Sequence, residues 1–313
     1  MRRPLLSLLA LSFALAIAGP AAASDGVLEI SRTCAIQTGC FPGDAPGLPV
    51  TITMPGAYRL TSNLSQAYNP RFDGVTTAID ITSPGVDLDL GGFAISCFDP
   101  EAPSNEPCGG SGHGIATSGG FQAGIRISNG SIFGMPQDGI HLSGGDGSLV
   151  ESIRSFGNGQ DGIMVGGEAV VSDSTSRDNG RHGFWLGQGN TLQRSSASRN
   201  GGDGAFAATG SLVTGNTFYA NHARGIDART GTTVSNNTVS SNWGNGIQVG
   251  NRVHARGNTI TANGGWGLYF AGGVRSGYGD NLIADNASGN VSTNSSLGVS
   301  AGGNVCGDTT SCP

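Results

Sequence analysis

Lysine is absent from the sequence, and all sixteen basic residues among the 313 are arginine. This absence excludes Schiff-base chemistry, a Walker-type phosphate loop and any mechanism that needs an amine base. Only 12% of the residues are charged, and the formal charge of −6 argues against a nucleic-acid binder, which is typically basic. Aromatic residues are few, at 6%, whereas the 55 glycines are abundant but follow no Gly-X-Y period. This composition indicates a turn-rich, mostly β protein rather than a collagen-like chain.

The first segment has the features of a targeting signal. Met1–Arg3 supplies a short positive start, and the apolar run over Leu5–Ala18 is too short to span a bilayer comfortably. The small residues Ala21–Ala23 then form a cleavage site, which predicts a Sec signal peptide over residues 1–23. We therefore expect an exported protein, periplasmic or extracellular, with no membrane span after cleavage.

The six cysteines fall into three local pairs along the chain. Export into an oxidising compartment favours disulfides, whereas zinc binding is disfavoured because no histidine stands beside these pairs at ligand spacing. The predicted disulfides join Cys34 with Cys40, Cys97 with Cys108, and Cys306 with Cys312.

An Asn-x-x-x-Gly element recurs every 21 residues in the middle of the chain. Its positions are Asn158/Gly162, Asn179/Gly183, Asn200/Gly204, Asn221/Gly225, Asn242/Gly246 and Asn263/Gly267. Each Gly precedes an alternating apolar pair, and two further apolar strands keep the same spacing. Three short strands per repeat predict a three-sided coil, in which each strand pairs in parallel with its counterpart about 4.8 Å above and below. Because Asn tolerates left-handed geometry, we expect it at a turn, with its amides stacked along the axis.

The terminal segments are predicted to protect the ends of this coil. We place an N-terminal cap at residues 24–76, the coils at 77–276 and a C-terminal cap or tail at 277–313, because an open-ended coil exposes free sheet edges. The predicted fold is all-β, a three-sided parallel solenoid of about nine or ten coils whose ends carry local disulfides. Residues 98–112 are predicted to form an inserted loop, which either walls a binding groove or has no function of its own.

With these features the chain resembles the right-handed parallel β-helix repeat proteins of the pectate-lyase-like superfold. The resemblance is carried by the repeats over 112–270, by Val86–Ile95, which is similar to the first coil of the family, and by Val50–Leu64, which is similar to the N-terminal region of exported members. It implies a right-handed helix and a polysaccharide or cell-surface glycan as partner. The superfold includes lyases, hydrolases, epimerases and adhesins, so the resemblance selects no single function.

The residue just before each repeat Gly defines one predicted column on the coil stack. In this column Asp161 and Asp203 flank His182, and Arg224 follows on the next coil, about 5 Å further on. Flanking carboxylates raise the pKa of an imidazole, and a guanidinium neutralises a uronate carboxylate. The column predicts proton abstraction, with His182 as proton shuttle, Arg224 as neutraliser and both aspartates tuning the histidine. Asp before Gly is also ordinary turn chemistry, so a structural column is the alternative.

The residue two after each Gly should face solvent and defines a second column. Its substrate-binding candidates are Trp185, Phe206, Tyr269, His141 and Asp227. Trp185 and Phe206, on adjacent coils, would form an apolar shelf that either stacks sugar rings or lies beneath a loop or another subunit. A trimer like those of phage tailspike β-helices is one assembly that would cover it.

The motifs of the enzyme families that resemble this chain are incomplete. Gly112–Gly114 looks like the Gly-His-Gly element of β-helix polygalacturonases, but the accompanying Asn-x-Asp, paired Asp and Arg-x-Lys elements are missing, which disfavours that hydrolase. We therefore predict a non-catalytic glycan-binding, adhesin-like or surface scaffold protein, with a polysaccharide lyase or C5-epimerase acting on a polyuronate as the alternative.

Neither a metal site nor a cofactor is predicted from the sequence. Isolated surface carboxylates bind Ca²⁺ weakly without any motif, so weak Ca²⁺ binding stays open. The negative net charge disfavours polyanions unless arginines cluster locally, and the nearest candidates for such a cluster are Arg177, Arg199 and Arg224.

Overall fold

The computed structural model describes residues 26–67, 76–98, 107–292, 297–307 and 312. The predicted signal peptide, residues 1–23, lies outside the described residues, as do residues 99–106 of the predicted inserted loop. Within the described part, no helix is long and apolar enough to cross a bilayer.

The described residues form short strands and one short helix. Up to the first regular repeats these are β1 (Leu28–Ile30), α1 (Arg32–Gln37), β2 (Val50–Ile52), β3 (Gly56–Leu60), β4 (Leu64–Ala67), β5 (Ile79–Ile81), β6 (Val86–Asp89), β7 (Ala94–Phe98), β8 (Ile115–Thr117), β9 (Arg126–Phe133), β10 (Ile140–Leu142) and β11 (Leu149–Phe156). The regular repeats contribute β12 (Ile163–Val165), β13 (Val170–Ser172), β14 (Thr175–Arg177), β15 (Phe184–Leu186), β16 (Thr191–Gln193), β17 (Ser196–Ser198), β18 (Ala205–Ala207), β19 (Leu212–Thr214), β20 (Thr217–Tyr219), β21 (Ile226–Ala228), β22 (Thr233–Ser235), β23 (Thr238–Ser240), β24 (Ile247–Val249), β25 (His254–Arg256), β26 (Thr259–Thr261) and β27 (Trp266–Phe270). The last strands are β28 (Ser276–Gly279), β29 (Leu282–Ala284), β30 (Gly289–Val291), β31 (Gly298–Ser300) and β32 (Val305–Cys306).

These strands form three faces, in which each strand pairs in parallel with its counterpart one coil later. Face 1 is an eleven-stranded sheet made of β2, β5, β8, β10, β12, β15, β18, β21, β24, β27 and β30. Face 2 contains β1, β3, β6, β13, β16, β19, β22, β25, β28 and β31, and face 3 contains β4, β7, β14, β17, β20, β23, β26, β29 and β32. The long strands β9 and β11 continue from face 2 into face 3. The predicted three-sided parallel solenoid is confirmed.

The apolar positions of the repeat fill the interior of the solenoid. Ile163 and Val165 on face 1, Leu192 on face 2 and Phe218 on face 3 are fully buried, and the strands between them alternate inward and outward side chains. Burial of these side chains is the main favourable contribution to stability, as in other packed cores.

The Asn residues of the repeat form a buried ladder, as predicted. The side-chain amide of Asn179 donates to Oδ1 of Asn200 at 3.0 Å, and the backbone N–H of Asn179 donates to the same oxygen at 3.1 Å. Equivalent bonds connect the ladder from Asn158 to Asn286. A second ladder, which our sequence reading missed, lies at the corner between faces 2 and 3 and contains Asn216, Asn237, Asn258, Asn281 and Asn304.

At the corner between faces 3 and 1, the left-handed residue is the one before the ladder Asn, so the prediction that the Asn itself is left-handed was wrong. Asp178 and Arg199, with φ values of 55° and 53°, precede Asn179 and Asn200. The left-handed residue turns the chain, and its own side chain stays in solvent, where Arg199 pairs with Asp178. The following Asn side chain then points inward, where its amide can join the ladder.

The solenoid is longer than the predicted range of 77–276. Strand β2, in the predicted cap 24–76, pairs with β5, and β30, in the predicted segment 277–313, pairs with β27. Both predicted caps therefore contribute strands to the ladder, and helix α1 lies at the N-terminal end. The other nine strands of face 1, eleven minus these two, lie within 77–276 and agree with about nine or ten coils.

All three predicted disulfides are present. They join Cys34 to Cys40, Cys97 to Cys108, and Cys306 to Cys312. The first and last lie towards the two ends of the solenoid, and the second closes the segment that contains the predicted inserted loop.

Candidate functional site

The second predicted column lies on face 1, and the first lies beside it at the corner where the strands of face 1 begin. The parallel register places the second column on successive strands, in the order His141, Met164, Trp185, Phe206, Asp227, Gln248 and Tyr269. The two columns touch within one coil, since Nη1 of Arg224 lies 2.9 Å from Oδ2 of Asp227. We call this combined surface the face 1 site.

The predicted catalytic residues are neighbours, and the two aspartates hold backbone groups. Oδ1 of Asp161 accepts the backbone N–H of His182 at 2.9 Å, and Oδ1 of Asp203 accepts the backbone N–H of Arg224 at 2.9 Å. Asp161 and Asp203 are only 2% and 0% exposed. Each carboxylate therefore satisfies a buried N–H on the following coil, and burial raises the pKa of Asp161.

The hydrogen bonds of His182 assign its tautomer. Its Nδ1 accepts the backbone N–H of Asp203 at 3.0 Å, so the neutral ring carries its proton on Nε2. The nitrogen that remains for a ligand is thus a hydrogen-bond donor. In this state His182 can bind an oxygen of a substrate, but it cannot take a proton from it.

Asp227 is buried, so the prediction that it faces solvent was wrong. Only 1% of this residue is exposed, because Arg224 and Arg229 cover it from two sides. Its Oδ2 lies 2.9 Å from Nη1 of Arg224 and 2.8 Å from Nη2 of Arg229. Burial raises the pKa of Asp227 even though both guanidinium groups oppose the rise.

The aromatic pair forms a stack that ends on an arginine. The rings of Trp185 and Phe206 are 5.6 Å apart with an interplanar angle of 12°, and both residues are half-buried. Cζ of Arg229, from the next coil, lies 5.1 Å from the ring centroid of Phe206. Phe206 is therefore enclosed between Trp185 and Arg229, and the predicted shelf is a column of ring edges with one guanidinium at its end.

A histidine–carboxylate pair two coils before this stack was not predicted as a unit. Nδ1 of His141 lies 2.6 Å from Oδ2 of the buried Asp138, and the rings of His113 and His141 are in contact, with centroids 4.4 Å apart and planes tilted by 37°. Burial alone would raise the pKa of Asp138, but the two imidazoles and the backbone N–H of Asp161 outweigh burial and lower this pKa to about 2. The carboxylate thus stays charged and orients His141 so that its Nε2 faces outward as an acceptor.

The spacing in the sequence contains a signal for this pair. Asp138 and His141 are three residues apart in the sequence, as are Arg224 and Asp227. In each pair the first residue stands directly before the repeat Gly, and the second stands two residues after it. The repeat lattice separates the two columns, whereas the i, i+3 spacing across each Gly pairs them.

His113, Asp138 and His141 could also ligate a metal ion, because their potential ligand atoms lie within 4.8 Å of one another. Two imidazoles and a carboxylate are suitable ligands for transition metals. Both Nδ1 atoms are already engaged, because that of His141 is bonded to the Asp138 carboxylate and that of His113 accepts the Asp138 backbone N–H at 3.2 Å. These hydrogen bonds account for the arrangement without an ion, and the absence of a metal cofactor stays a prediction.

Asp138 and Asp161 occupy successive coils of one column, yet their pKa values shift in opposite directions. We expect D138N to lower the free energy of unfolding by about 2 kcal/mol near pH 7, because a carboxyl with a pKa of about 2 when folded and about 3.9 when unfolded stabilises the fold while charged. This stabilisation is lost as the pH falls from about 4 to about 2, where wild type and D138N should converge.

D161N is the matched control for this pH dependence. The raised pKa of Asp161 means that its charged form costs stability at neutral pH, and this cost disappears as the pH falls. D161N should therefore be at least as stable as wild type near pH 7. Chemical denaturation across this pH range checks both variants, and the same pH response in D138N and D161N would contradict the assignment.

Comparison with known proteins agrees with the observed architecture. Residues 104–223 match the family model of a right-handed β-helix region. No curated protein matches the chain. The chain is a parallel β-helix protein, as the three parallel faces show.

Several solved structures are similar to the chain. The mannuronan C-5 epimerase A-module of Azotobacter vinelandii has a TM-score of 0.59 and 16% identity, over 76% of this chain and 72% of that one. A double mutant of a periplasmic alginate epimerase has a TM-score of 0.54 and 15% identity, over 80% and 74%. A protein of Geobacillus virus E2 has a TM-score of 0.55 and 11% identity, over 76% and 52%. At these identities the similarity concerns the fold alone.

Proposed function

We propose that the protein binds a polysaccharide without cleaving it, and that a linear glycan lies along the face 1 site. The observation that carries this proposal is the stack of Trp185, Phe206 and Arg229 on three successive coils, with the rings half-buried and the guanidinium exposed. The ring edges of this stack form an apolar strip against which the apolar parts of sugars can pack. The coils repeat about every 4.8 Å, which is similar to the advance of a linear polysaccharide per sugar ring, so successive coils can contact successive sugars.

Hydrogen-bond donors flank the aromatic stack. The proton of His182 is on its outward nitrogen, and Arg224, Gln248 and Tyr269 continue the surface on the same side, none of them buried. Sugar hydroxyls accept from all of these groups. A surface with an apolar centre and donors on either side is suited to hold a glycan in one register.

The hydrogen bonds favour binding over proton transfer at the predicted catalytic column. Asp161 and Asp203 are occupied by backbone N–H groups, and Nδ1 of His182 is occupied by another. A lyase or epimerase needs a group that takes a proton next to the uronate carboxylate. These three residues supply none in their observed hydrogen-bonding states.

The charge of the face 1 site does not require an acidic glycan. Arg224 and Arg229 are balanced by Asp203 and Asp227 through ion pairs. Two of the similar structures are named as epimerases of mannuronan or alginate, so acidic polysaccharides belong in the test beside neutral ones.

Affinity electrophoresis and calorimetry of the purified protein with neutral and acidic polysaccharides test the proposal. W185A should weaken binding of the best ligand about tenfold, because it removes one of the two rings of the apolar strip. Trp243 offers a matched control, since it is 68% exposed and stacks on His222 rather than in the face 1 site. No binding to any glycan, or equal losses in W185A and W243A, would contradict the proposal.

A second candidate function is proton transfer on a polyuronate, centred on His141 rather than on His182. The specific observation is the bond from Nδ1 of His141 to buried Asp138, which leaves Nε2 free to take a proton. In this case the same panel should show unsaturated uronate ends by ultraviolet absorbance, or epimerised residues by proton NMR. H141A should remove that signal while retaining binding, whereas H182A should retain both signals. A panel without turnover would reject this candidate.

A further inference from the structure

Face 3 carries a groove of about 460 Å³ that lies outside the face 1 site. Its lining includes Asn63, Ala94, Ser131, Phe133, Arg154 and Phe156. An adjoining hollow of about 380 Å³ shares Gly92, Arg154 and Thr175 with it. Small-molecule sites commonly have such volumes.

One wall of the groove is an apolar stack on three successive strands. The rings of Phe133 and Phe156 are 4.7 Å apart with an interplanar angle of 10°. Cζ of Arg177 lies 4.7 Å from the ring centroid of Phe156 and extends the stack. These residues occupy β9, β11 and β14 in parallel register, so the wall follows the axis of the solenoid.

A parallel column of polar and small residues lies beside this wall. In register it contains Ala94, Ser131, Arg154 and Thr175. The small side chains of Ala94 and Ser131 leave the groove open, and the exposed side chain of Arg154 lies beside it.

Arg154 has no acidic partner in the described part of the chain. The ion pairs of the described residues include most of the other arginines, among them Arg126, Arg177 and Arg194, but none of these pairs includes Arg154. The single hydrogen bond of its side chain within the described chain runs from Nε to Oγ of Ser131 at 3.2 Å. The terminal nitrogens are therefore available to a carboxylate in the two-point geometry that guanidinium groups favour.

Other polar groups of the groove are also available to a ligand. Oδ1 of Asn63 accepts the backbone N–H of Ala94 at 2.9 Å, which leaves the side-chain N–H groups of Asn63 as donors. Because Oγ of Ser131 accepts from Arg154, its own proton is free to donate.

The charges around the groove are positive in a negatively charged protein. The charged residues that line the groove and the adjoining hollow are Arg154, Arg177 and Asp173, which gives a local excess of one positive charge (2 − 1). The whole chain has a formal charge of −6, and the arginines of the face 1 site are fully balanced. A negative ligand is therefore attracted to this part of face 3.

We propose that the groove on face 3 is a second, separate binding site for a carboxylate-bearing sugar unit. The carboxylate pairs with the terminal nitrogens of Arg154, the sugar ring packs against Phe133 and Phe156, and hydroxyl groups meet Ser131 and Asn63. A uronate has these three features in one residue, namely an apolar ring, hydroxyls and one negative charge. This site does not depend on the proposed function of face 1.

Calorimetric titration of the full protein with trigalacturonate and with its carboxyl-reduced neutral counterpart tests this proposal. R154Q should weaken the binding of trigalacturonate about tenfold or more, and R154K should weaken it less, since lysine keeps the charge but loses the two-point geometry. Wild type should bind the neutral trisaccharide more weakly than the acidic one. R154Q should bind the two trisaccharides with equal affinity. R252Q is the matched control, because Arg252 is exposed at a turn and has no ion pair in the described chain.

Three outcomes would overturn the inference. These are equal affinities of R154Q and R252Q, equal binding of the acidic and neutral trisaccharides by wild type, and no binding of trigalacturonate. W185A separates this site from the face 1 site, since it should leave the titration unchanged. Loss of binding in W185A with retention in R154Q would place the uronate on face 1 instead.

Discussion

Replacing Asn200 with alanine is expected to lower the free energy of unfolding by about 4 kcal/mol. Asn200 is fully buried, and its amide donates to Oδ1 of Asn221 at 2.9 Å and to the carbonyl oxygen of Ser176 at 3.2 Å. Its Oδ1 accepts one hydrogen bond from the backbone N–H of Asn179 and one from the side-chain amide of Asn179. Alanine removes these four hydrogen bonds, each worth about 1 kcal/mol. It also leaves the backbone N–H of Asn179 without its partner, whereas Oδ1 of Asn221 keeps the backbone N–H of Asn200 and the amide of Asn179 keeps Oγ of Ser176.

Chemical denaturation of N200A, N200D and a surface control measures this effect. N200D should be at least as harmful as N200A, because it buries a charge and sets an oxygen against Oδ1 of Asn221. Thr217, exposed on the neighbouring strand β20, offers the control T217A, which should change stability by less than about 0.5 kcal/mol. A value for N200A close to that of T217A would show that the ladder does not stabilise the coils.

The ladder illustrates why the fold could be predicted from the sequence. A period of 21 residues places identical side chains in vertical register, so a repeated Asn at one position predicts a stack without any knowledge of the backbone. The second ladder, from Asn216 to Asn304, begins only after the serines Ser174 and Ser195 have occupied the same corner, where they make equivalent bonds. A ladder of mixed residue types is harder to read from a repeat.

The candidate site could be predicted only in part, because the lattice assigns neighbours but not side-chain directions. It brought Asp161, His182 and Asp203 together correctly, yet the corner turns both carboxylates towards backbone N–H groups. The tautomer of His182 and the burial of Asp227 both depend on these local bonds.

The groove on face 3 lies mainly in the coils that precede the regular 21-residue repeat. Phe133 and Arg154 belong to coils of 25 and 23 residues, counted from Gly114 to Gly139 and from Gly139 to Gly162. Without a constant period, the sequence does not show that β9 and β11 place Phe133 beside Phe156. Arg177, which the sequence reading named as a candidate for local positive charge, lies at the end of this wall.

The second large effect is expected at the repeat glycines, for which G225A is the most direct test. A Cβ at Gly225 would overlap Cγ1 of Val239 and lie 2.7 Å from the carbonyl oxygen of Gly246 on the next coil. The φ of Gly225 is not in the left-handed region, so the cost comes from close approach rather than from backbone strain. We expect G225A to lower the free energy of unfolding by about 3 kcal/mol, near the upper end for overpacking of a close-packed site.

G273A is the matched control, because nothing lies within 4 Å of a Cβ at Gly273. Chemical denaturation should separate the two variants clearly, and similar stabilities would mean that the coils can move apart at this corner. The same close approach brings the two columns of face 1 together, since Gly225 stands between Arg224 and the strand that carries Asp227. We therefore expect G225A to weaken glycan binding at face 1 as well as stability, whereas trigalacturonate binding on face 3 should be retained wherever the variant is folded.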